Sequence, residues 1–101
     1  MKPMSFRLPK KLVELIDKEI SAGLYPSRSE FIRDCIRRYL LSGNTESLIR
    51  LLPLKSDIVV SIKMSPALEE ALRKKSEEFE VSMSELVKCV IIKYFSEKYN
   101  L

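Results

Sequence analysis

Two short segments of the chain combine alternating apolar residues with polar side chains that can bind by hydrogen bonds and charge. Residues 4–8 read Met-Ser-Phe-Arg-Leu, and residues 60–64 read Val-Ser-Ile-Lys-Met. Strict alternation indicates a β-strand, because successive side chains of a strand point to opposite faces. The apolar residues then face a core, and the outward side chains are those of Ser5, Arg7, Ser61 and Lys63. A guanidinium, an ammonium and two hydroxyls are groups for recognising a partner.

The composition argues against catalysis. The 101 residues include no His, the commonest general base and metal ligand, and no phosphate-binding loop. We therefore predict no enzyme activity, no cofactor and no metal site. Cys35 and Cys89 lie in apolar helical stretches, outside any C-x-x-C arrangement, and are expected to be reduced core thiols. The sequence has neither a signal peptide nor a membrane-spanning run, so we expect a cytoplasmic protein.

Each alternating segment is followed by two predicted amphipathic helices. Ser65 and Pro66 are suited to the N-cap and first position of a helix after the second strand. The second helices open with Ser27-Arg28-Ser29-Glu30 and Ser82-Met83-Ser84-Glu85, which both fit the S-x-x-E capping box. In that motif the Ser and Glu side chains each satisfy a free backbone N–H. The first turn between helices contains Gly23, whereas the second turn, near 78–81, has no glycine and is one residue shorter.

The ordered combination of a strand and two helices resembles the ribbon-helix-helix family of DNA-binding proteins, of the Arc and methionine repressor type. The first copy carries the resemblance in SFRLPKKLVELID and YPSRSEFIRDCIRRYL. Residues 57–96 resemble a diverged second copy, and this tandem, single-chain form is similar to small regulators of archaeal viruses. The resemblance implies a mainly α fold with short β, in which two tandem units pair their strands into an antiparallel two-stranded ribbon. We expect the units at 1–43 and 57–101, joined by a linker at 44–56 that contains a short helix.

The same resemblance implies a mechanism and a set of site residues. In the family the ribbon enters the major groove of DNA, and its outward residues contact bases. The base-reading residues here would be Ser5, Arg7, Val59, Ser61 and Lys63. Proteins of the family also bind phosphate at the N-terminus of the second helix. The resemblance therefore implies phosphate contacts from the N-terminal arm and from the starts of both second helices, at Lys2, Ser27, Arg28, Ser29, Ser82 and Ser84. The implied function is a sequence-specific transcription regulator of double-stranded DNA, acting as a repressor that includes its own promoter among its targets.

The basic excess of the chain lies in the first copy. Residues 1–43 carry nine basic and five acidic side chains (9 − 5 = +4), and residues 44–56 carry two and one (2 − 1 = +1). Residues 57–101 carry seven and eight (7 − 8 = −1). Because non-specific affinity for DNA grows with the number of phosphates neutralised, we expect the first copy to dominate binding.

The sequence leaves two questions open. A unit of about 45 residues cannot bury enough apolar surface alone, so each copy must pair. Pairing within one chain would give a ribbon of unlike strands and an asymmetric DNA site, and pairing between chains would give a palindromic site. We favour the first, with further association into homodimers or higher homo-oligomers. The alternatives to a regulator are an antitoxin, which the short segment after the last helix disfavours, and a protein-assembly adaptor with incidental DNA binding.

Overall fold

The computed structural model describes residues 2–40 and 58–99. Two strands and four helices follow in the order β1 (Lys2–Leu8), α1 (Lys10–Ser21), α2 (Arg28–Cys35), β2 (Ile58–Met64), α3 (Pro66–Phe79) and α4 (Met83–Lys98). A π-helical turn, Ile36–Leu40, continues α2. The order of a strand followed by two helices therefore occurs twice. The short helix predicted in the linker at 44–56 lies outside the described residues.

β1 and β2 pair with each other inside the one chain, as an antiparallel two-stranded ribbon. This confirms the ribbon expected from the sequence. Each strand has seven residues rather than the five of the alternating pattern, because pairing continues to Lys2 opposite Met64 and Leu8 opposite Ile58. As the alternation predicted, the inner face is buried at Phe6 and Leu8 of β1 and along β2 at Val60, Ile62 and Met64. Met4, predicted to lie on the same face, is half-buried and packs against the core.

One hydrophobic cluster joins both halves of the chain. It contains the inner face of the ribbon together with apolar residues of all four helices, including Ile16, Phe31, Leu72 and Ile91, which are fully buried. A polar contact also crosses between the halves: the buried Glu19 on α1 accepts a hydrogen bond from the Tyr94 hydroxyl on α4 (3.2 Å) and pairs with Lys98. In the part of the chain that the structure describes, neither half has a separate core, which agrees with the expectation that neither is stable alone.

The N-caps of three helices are those predicted. Ser27, Ser65 and Ser82 each accept a hydrogen bond from the backbone N–H three residues later, at 3.2, 3.2 and 3.1 Å. The capping boxes are only half formed, which corrects the sequence-based expectation. In the described part of the chain the Glu30 carboxylate pairs with Arg33 and the Glu85 carboxylate pairs with Lys88, so neither returns to the Ser backbone. A cation one turn further along the helix attracts each carboxylate more strongly than a neutral N–H does.

The two turns between helices use the same backbone device on different residues. Gly23 has φ +80° and Glu80 has φ 55°, both in the left-handed region. The amide of the next residue then bonds back to the helix, Leu24 N–H to the Glu19 carbonyl and Val81 N–H to the Ser76 carbonyl, each at 3.0 Å. In the second turn the N-cap Ser82 comes two residues after Glu80, whereas in the first turn the N-cap Ser27 comes four residues after Gly23. The turn that has no glycine is therefore also the shorter one.

Candidate nucleic-acid interface

The outward face of the ribbon carries all five side chains that the sequence assigned to base reading. Ser5 and Arg7 on β1 and Val59, Ser61 and Lys63 on β2 are all exposed, and Pro3 completes the face. The cross-strand pairs are Pro3 with Lys63, Ser5 with Ser61, and Arg7 with Val59. The predicted base-reading residues therefore share one surface, because alternation along each strand turns every second side chain outward.

The centre of this face is a pair of hydroxyls. The Oγ atoms of Ser5 and Ser61 lie 3.0 Å apart and share a hydrogen bond. Each hydroxyl retains a capacity to donate or accept toward a partner above the ribbon. Because both central side chains are short, they project less from the ribbon than the cations toward its two ends, Arg7 and Lys63.

The cations of the face, Arg7 and Lys63, stand toward opposite ends of the ribbon and on different strands. Among residues 2–40 and 58–99, the hydrogen bonds that these two residues make outside the ribbon use only their backbone groups. Their charged ends engage no other described side chain. Val59, opposite Arg7, is 55% exposed although it is β-branched and apolar. The face thus offers a guanidinium, an ammonium, two hydroxyls and an apolar surface to a partner.

The N-terminus of α4 lies against the edge of β1. Ser84, in the first turn of α4, accepts a hydrogen bond at its Oγ from the backbone N–H of Arg7, at 3.3 Å. A two-stranded ribbon leaves unpaired backbone groups along both edges, and such groups need partners. Ser84 therefore satisfies a backbone N–H at the edge of the ribbon. Its hydroxyl also lies at the helix N-terminus, where the sequence predicted a phosphate contact.

The helix α2 lies against the edge of β2 in the corresponding way. The Arg33 guanidinium donates from Nη1 to the backbone carbonyl of Lys63 at 2.5 Å, and it also pairs with Glu30. Its counterpart on α4 is Lys88, which is 3% exposed and pairs with Glu85 at 2.9 Å. Each second helix thus carries a buried or largely buried cation one turn after its N-terminal glutamate.

The residues predicted for phosphate contact lie at the two helix N-termini. Ser27 and Ser82 use their hydroxyls as N-caps, as described above, and Ser29 and Ser84 are half-buried in the first turns of α2 and α4. A helix N-terminus presents free backbone N–H groups and the positive end of the helix dipole, so both ends suit an anion. Lys2 is the first residue of β1, and its side chain lies outside the described part of the structure.

Arg28, the cation predicted to reinforce phosphate binding at α2, is held by a carboxylate. Its Nε and Nη2 donate to the two carboxylate oxygens of Asp17 on α1, each at 2.8 Å. This bidentate pair lowers the pKa of Asp17 and raises the pKa of Arg28, in both cases chiefly through the hydrogen bond between them. Both side chains remain more than two-fifths exposed. The equivalent place at α4 is Met83, so the two helix N-termini differ in charge.

Several residues around this surface were absent from the sequence-based set. They are Asp17, Arg33 and Lys88, which hold Arg28, the Lys63 carbonyl and Glu85. One pattern could have revealed two of them: the basic residue follows the S-x-x-E motif by three positions in both copies, as Glu30 to Arg33 and Glu85 to Lys88. The contacts of Arg33 with β2 and of Asp17 with α2 depend on tertiary structure, and no local pattern contains them.

The two thiols are outside this surface. Cys35 and Cys89 are free and buried, and burial raises the pKa of both. In residues 2–40 and 58–99 no three His, Cys, Asp or Glu side chains are grouped as ligands for a metal ion. Among the described helices none has both the length and the apolar character needed to cross a bilayer.

Of three comparisons with known proteins, one gave a match, and the matched segment contains the first strand and its two helices. A search of the curated proteins and a search of the solved structures gave no match to the chain. A scan against protein families gave a match to residues 2–42, which include β1, α1, α2 and the π-helical turn. This segment matches the ribbon-helix-helix protein, copG family, a family of DNA-binding transcription regulators that are typically not enzymes and that bind DNA as dimers.

Proposed function

We propose that this protein is a sequence-specific regulator of transcription that inserts its intramolecular ribbon into the major groove of double-stranded DNA. The observation that carries the proposal is the outward face of the ribbon, on which Arg7 and Lys63 present their charges above a buried core. The major groove, about 12 Å wide, admits a two-stranded ribbon and displays a distinct hydrogen-bonding pattern for each base pair. A face with donors at its centre and both ends is suited to that pattern.

Each residue of the face has a defined role in the proposal. The Arg7 guanidinium pairs in bidentate fashion with O6 and N7 of guanine, and the Lys63 ammonium donates to acceptors near the other end. Ser5 and Ser61 contact any base edge near the centre. Val59 offers an apolar contact to a thymine methyl.

Phosphates on either side of the groove are contacted by the helix N-termini. At α2 the contacts come from the backbone N–H groups around Ser27 and Ser29, with Arg28 beside them, and Lys2 reaches phosphate from the N-terminal end of the ribbon. At α4 the corresponding residues are Ser82 and Ser84. These contacts fix the protein on the duplex without reading sequence.

We further propose that residues 57–101 form a second, diverged ribbon-helix-helix unit, with residues 1–43 as the first and residues 44–56 as the linker. The repeated order of a strand and two helices supports this, as do the matching serine N-caps at Ser27 and Ser82. In this proposal one chain contains both halves of the ribbon, and whole chains associate further into homodimers. We also propose that the protein acts in the cytoplasm, or in the host cytoplasm if it is viral.

A band-shift titration on the DNA upstream of the protein's own coding sequence tests the base-reading role. Removal of Arg7 (Arg7→Ala) is expected to cost about 1–3 kcal/mol, roughly 5- to 150-fold in affinity. Lys63→Ala should weaken binding less, because an ammonium makes a less specific contact. The matched control is Lys74→Ala, which removes one exposed cation of α3 outside the ribbon. The proposal is wrong if both ribbon variants bind like the wild type at several salt concentrations.

The repressor role has its own test. Run-off transcription from the same upstream DNA should fall as the protein is added, and should recover when Arg7→Ala replaces the wild type. An increase in transcript with the wild-type protein would contradict repression while leaving DNA binding intact. Absent or salt-insensitive DNA binding would instead favour a protein-assembly adaptor, since binding that depends on phosphate contacts weakens as salt rises.

A further inference from the structure

We infer that one chain reads a non-palindromic DNA site in a single orientation, with the Arg7 end of the ribbon and the Lys63 end contacting unlike half-sites. The inference rests on the proposed function, since it concerns the kind of DNA sequence that the same face recognises. It follows from the register of the ribbon, from the residues at each end and from the unequal helix N-termini beside them.

The register fixes the centre of the reading face at the two serines. Ser5 pairs with Ser61, and these residues are 56 positions apart. The same separation relates Arg7 to Lys63 and Pro3 to Val59. Two-fold rotation about the Ser5–Ser61 pair therefore exchanges each outward residue of β1 with the residue at the same place in the other half. The pairing register of the ribbon is therefore symmetric about this point.

The side chains on the face break that symmetry at both ends. Arg7 faces Val59 across the ribbon, and Lys63 faces Pro3. A guanidinium forms a planar, two-bond fork that matches guanine, whereas an ammonium is a compact charge without that geometry. One end of the face thus discriminates guanine strongly, next to the methyl groups of Val59, and the other end discriminates weakly, next to a proline ring. Only the central serines are alike.

The flanking helix N-termini are also unequal, but in the opposite sense: α4 lies beside the Arg7 end, where Ser84 contacts the Arg7 amide, and α2 lies beside the Lys63 end, where Arg33 contacts the Lys63 carbonyl. The first turn of α2 carries Arg28, which Asp17 holds in place, and the first turn of α4 carries Met83. The charge excess follows this difference, at 9 − 5 = +4 for residues 1–43 and 7 − 8 = −1 for residues 57–101. Phosphate contacts should therefore be stronger on one flank of the site, so the backbone contacts and the base contacts both define a direction along the duplex.

Selection from a random-sequence duplex pool with the full-length chain tests this. Within the site contacted by one ribbon, the wild type should enrich a sequence with one strongly conserved guanine-containing half and no inverted repeat. A duplex in which the two halves are both copies of the weak half should bind about 5- to 100-fold less tightly. The variant Lys63→Arg with Val59→Pro places Pro, Ser and Arg on both strands, and it should enrich an inverted repeat of the guanine-containing half.

Two further variants keep the outcome clear. Lys63→Arg alone leaves the backbone unchanged and should add a guanine preference to the weak half, which covers the case in which the double variant does not fold. Lys74→Arg makes the same substitution on α3, outside the ribbon, and should leave the enriched sequence unchanged. An inverted repeat within the site of one ribbon, selected by the wild type, would overturn this inference and leave the proposed function standing. Failure to enrich any sequence would instead overturn the proposed function.

Discussion

Arg33 on α2 reaches across to β2 and donates a hydrogen bond from Nη1 to the backbone carbonyl of Lys63, at 2.5 Å. This contact joins a helix of the first half to a strand of the second half, 30 residues away in the sequence. The residue held in this way is itself one of the two cations on the outward face. Ser84 does the same for the other cation, since its Oγ accepts from the Arg7 amide. The backbone of each is therefore fixed from the edge of the ribbon.

Replacing Arg33 by methionine should destabilise the fold by about 1.5–3 kcal/mol. That is the usual contribution of a hydrogen bond to a charged group, and the Arg33 side chain is only 14% exposed. Methionine retains most of the apolar stem, so the loss reports mainly on the polar contacts. The measurement is urea unfolding of both proteins followed by circular dichroism, with the midpoint and slope compared.

The matched control is Arg73→Met on α3. Arg73 pairs with Glu69 and Glu70, but its side chain is 46% exposed, and surface pairs of this kind contribute less than about 1 kcal/mol. Equal losses from the two variants would show that the Lys63 carbonyl contact adds nothing to the stability of the fold.

Glycine at position 80 should stabilise the protein by up to about 1 kcal/mol. Glu80 has φ 55°, a conformation that disfavours a residue with a Cβ and suits glycine. The converse substitution, Gly23→Ala, should destabilise by about 1 kcal/mol, and only through the backbone, because a Cβ added there meets nothing within 4 Å. Thermal unfolding of both variants measures the effect. Destabilisation by Glu80→Gly would mean that the greater freedom of glycine in the unfolded chain outweighs the relief of the turn.

The Asp17–Arg28 pair should make a pH-dependent contribution to stability. The pKa of Asp17 in the folded protein lies below the ordinary value of 3.8, so the Asp17 carboxylate stabilises the fold above that pH. The contribution is lost as pH falls through the lowered pKa. The free energy of unfolding of the wild type should exceed that of Asp17→Asn by less than about 1 kcal/mol at pH 7, because both groups are well exposed. The difference should shrink toward zero as pH falls below 3.8 and through the lowered pKa of Asp17, and a difference that grew on acidification would contradict this sign.

The cysteine thiols should react slowly in the folded protein. Cys35 is fully buried and Cys89 is 5% exposed, and burial raises the pKa of both, which reduces the reactive thiolate. A disulfide reagent such as dithionitrobenzoate, added at pH 8, should modify the native protein at a rate limited by opening of the fold. Both thiols should react rapidly in urea. A thiol that reacted equally fast with and without urea would place that cysteine outside the core.

The fold was predictable from the sequence wherever a local rule governs the structure. Alternation predicted which residues of the ribbon face the core, because the side-chain period of a strand is two. Ser27, Ser65 and Ser82 were identified as N-caps, because an N-cap bond reaches only three residues along the chain. The left-handed turn at Glu80 had no such signal, since the helix continues to Phe79 and the turn closes on a residue type that rarely adopts that conformation.

The candidate site was predictable only in part. Its exposed face followed from the strand pattern, but the contacts that surround it join residues far apart in the sequence, such as Arg7 with Ser84 and Arg33 with Lys63. The half-formed capping boxes show the same limit. The motif predicts that the Glu30 carboxylate accepts from the Ser27 backbone N–H, but the carboxylate pairs with Arg33 instead. The roles of the face in reading bases, and of the helix N-termini in holding phosphate, stay predictions.

The pairing of β1 with β2 inside one polypeptide also affects how the protein would respond to its own abundance. A ribbon assembled from two separate chains exists in proportion to the square of the free protein when the protein is scarce, so it forms only above a threshold. Here the second strand is tethered to the first at a high effective concentration, and the ribbon forms as each chain folds. The number of ribbons then rises linearly with the number of chains, from the first copies synthesised.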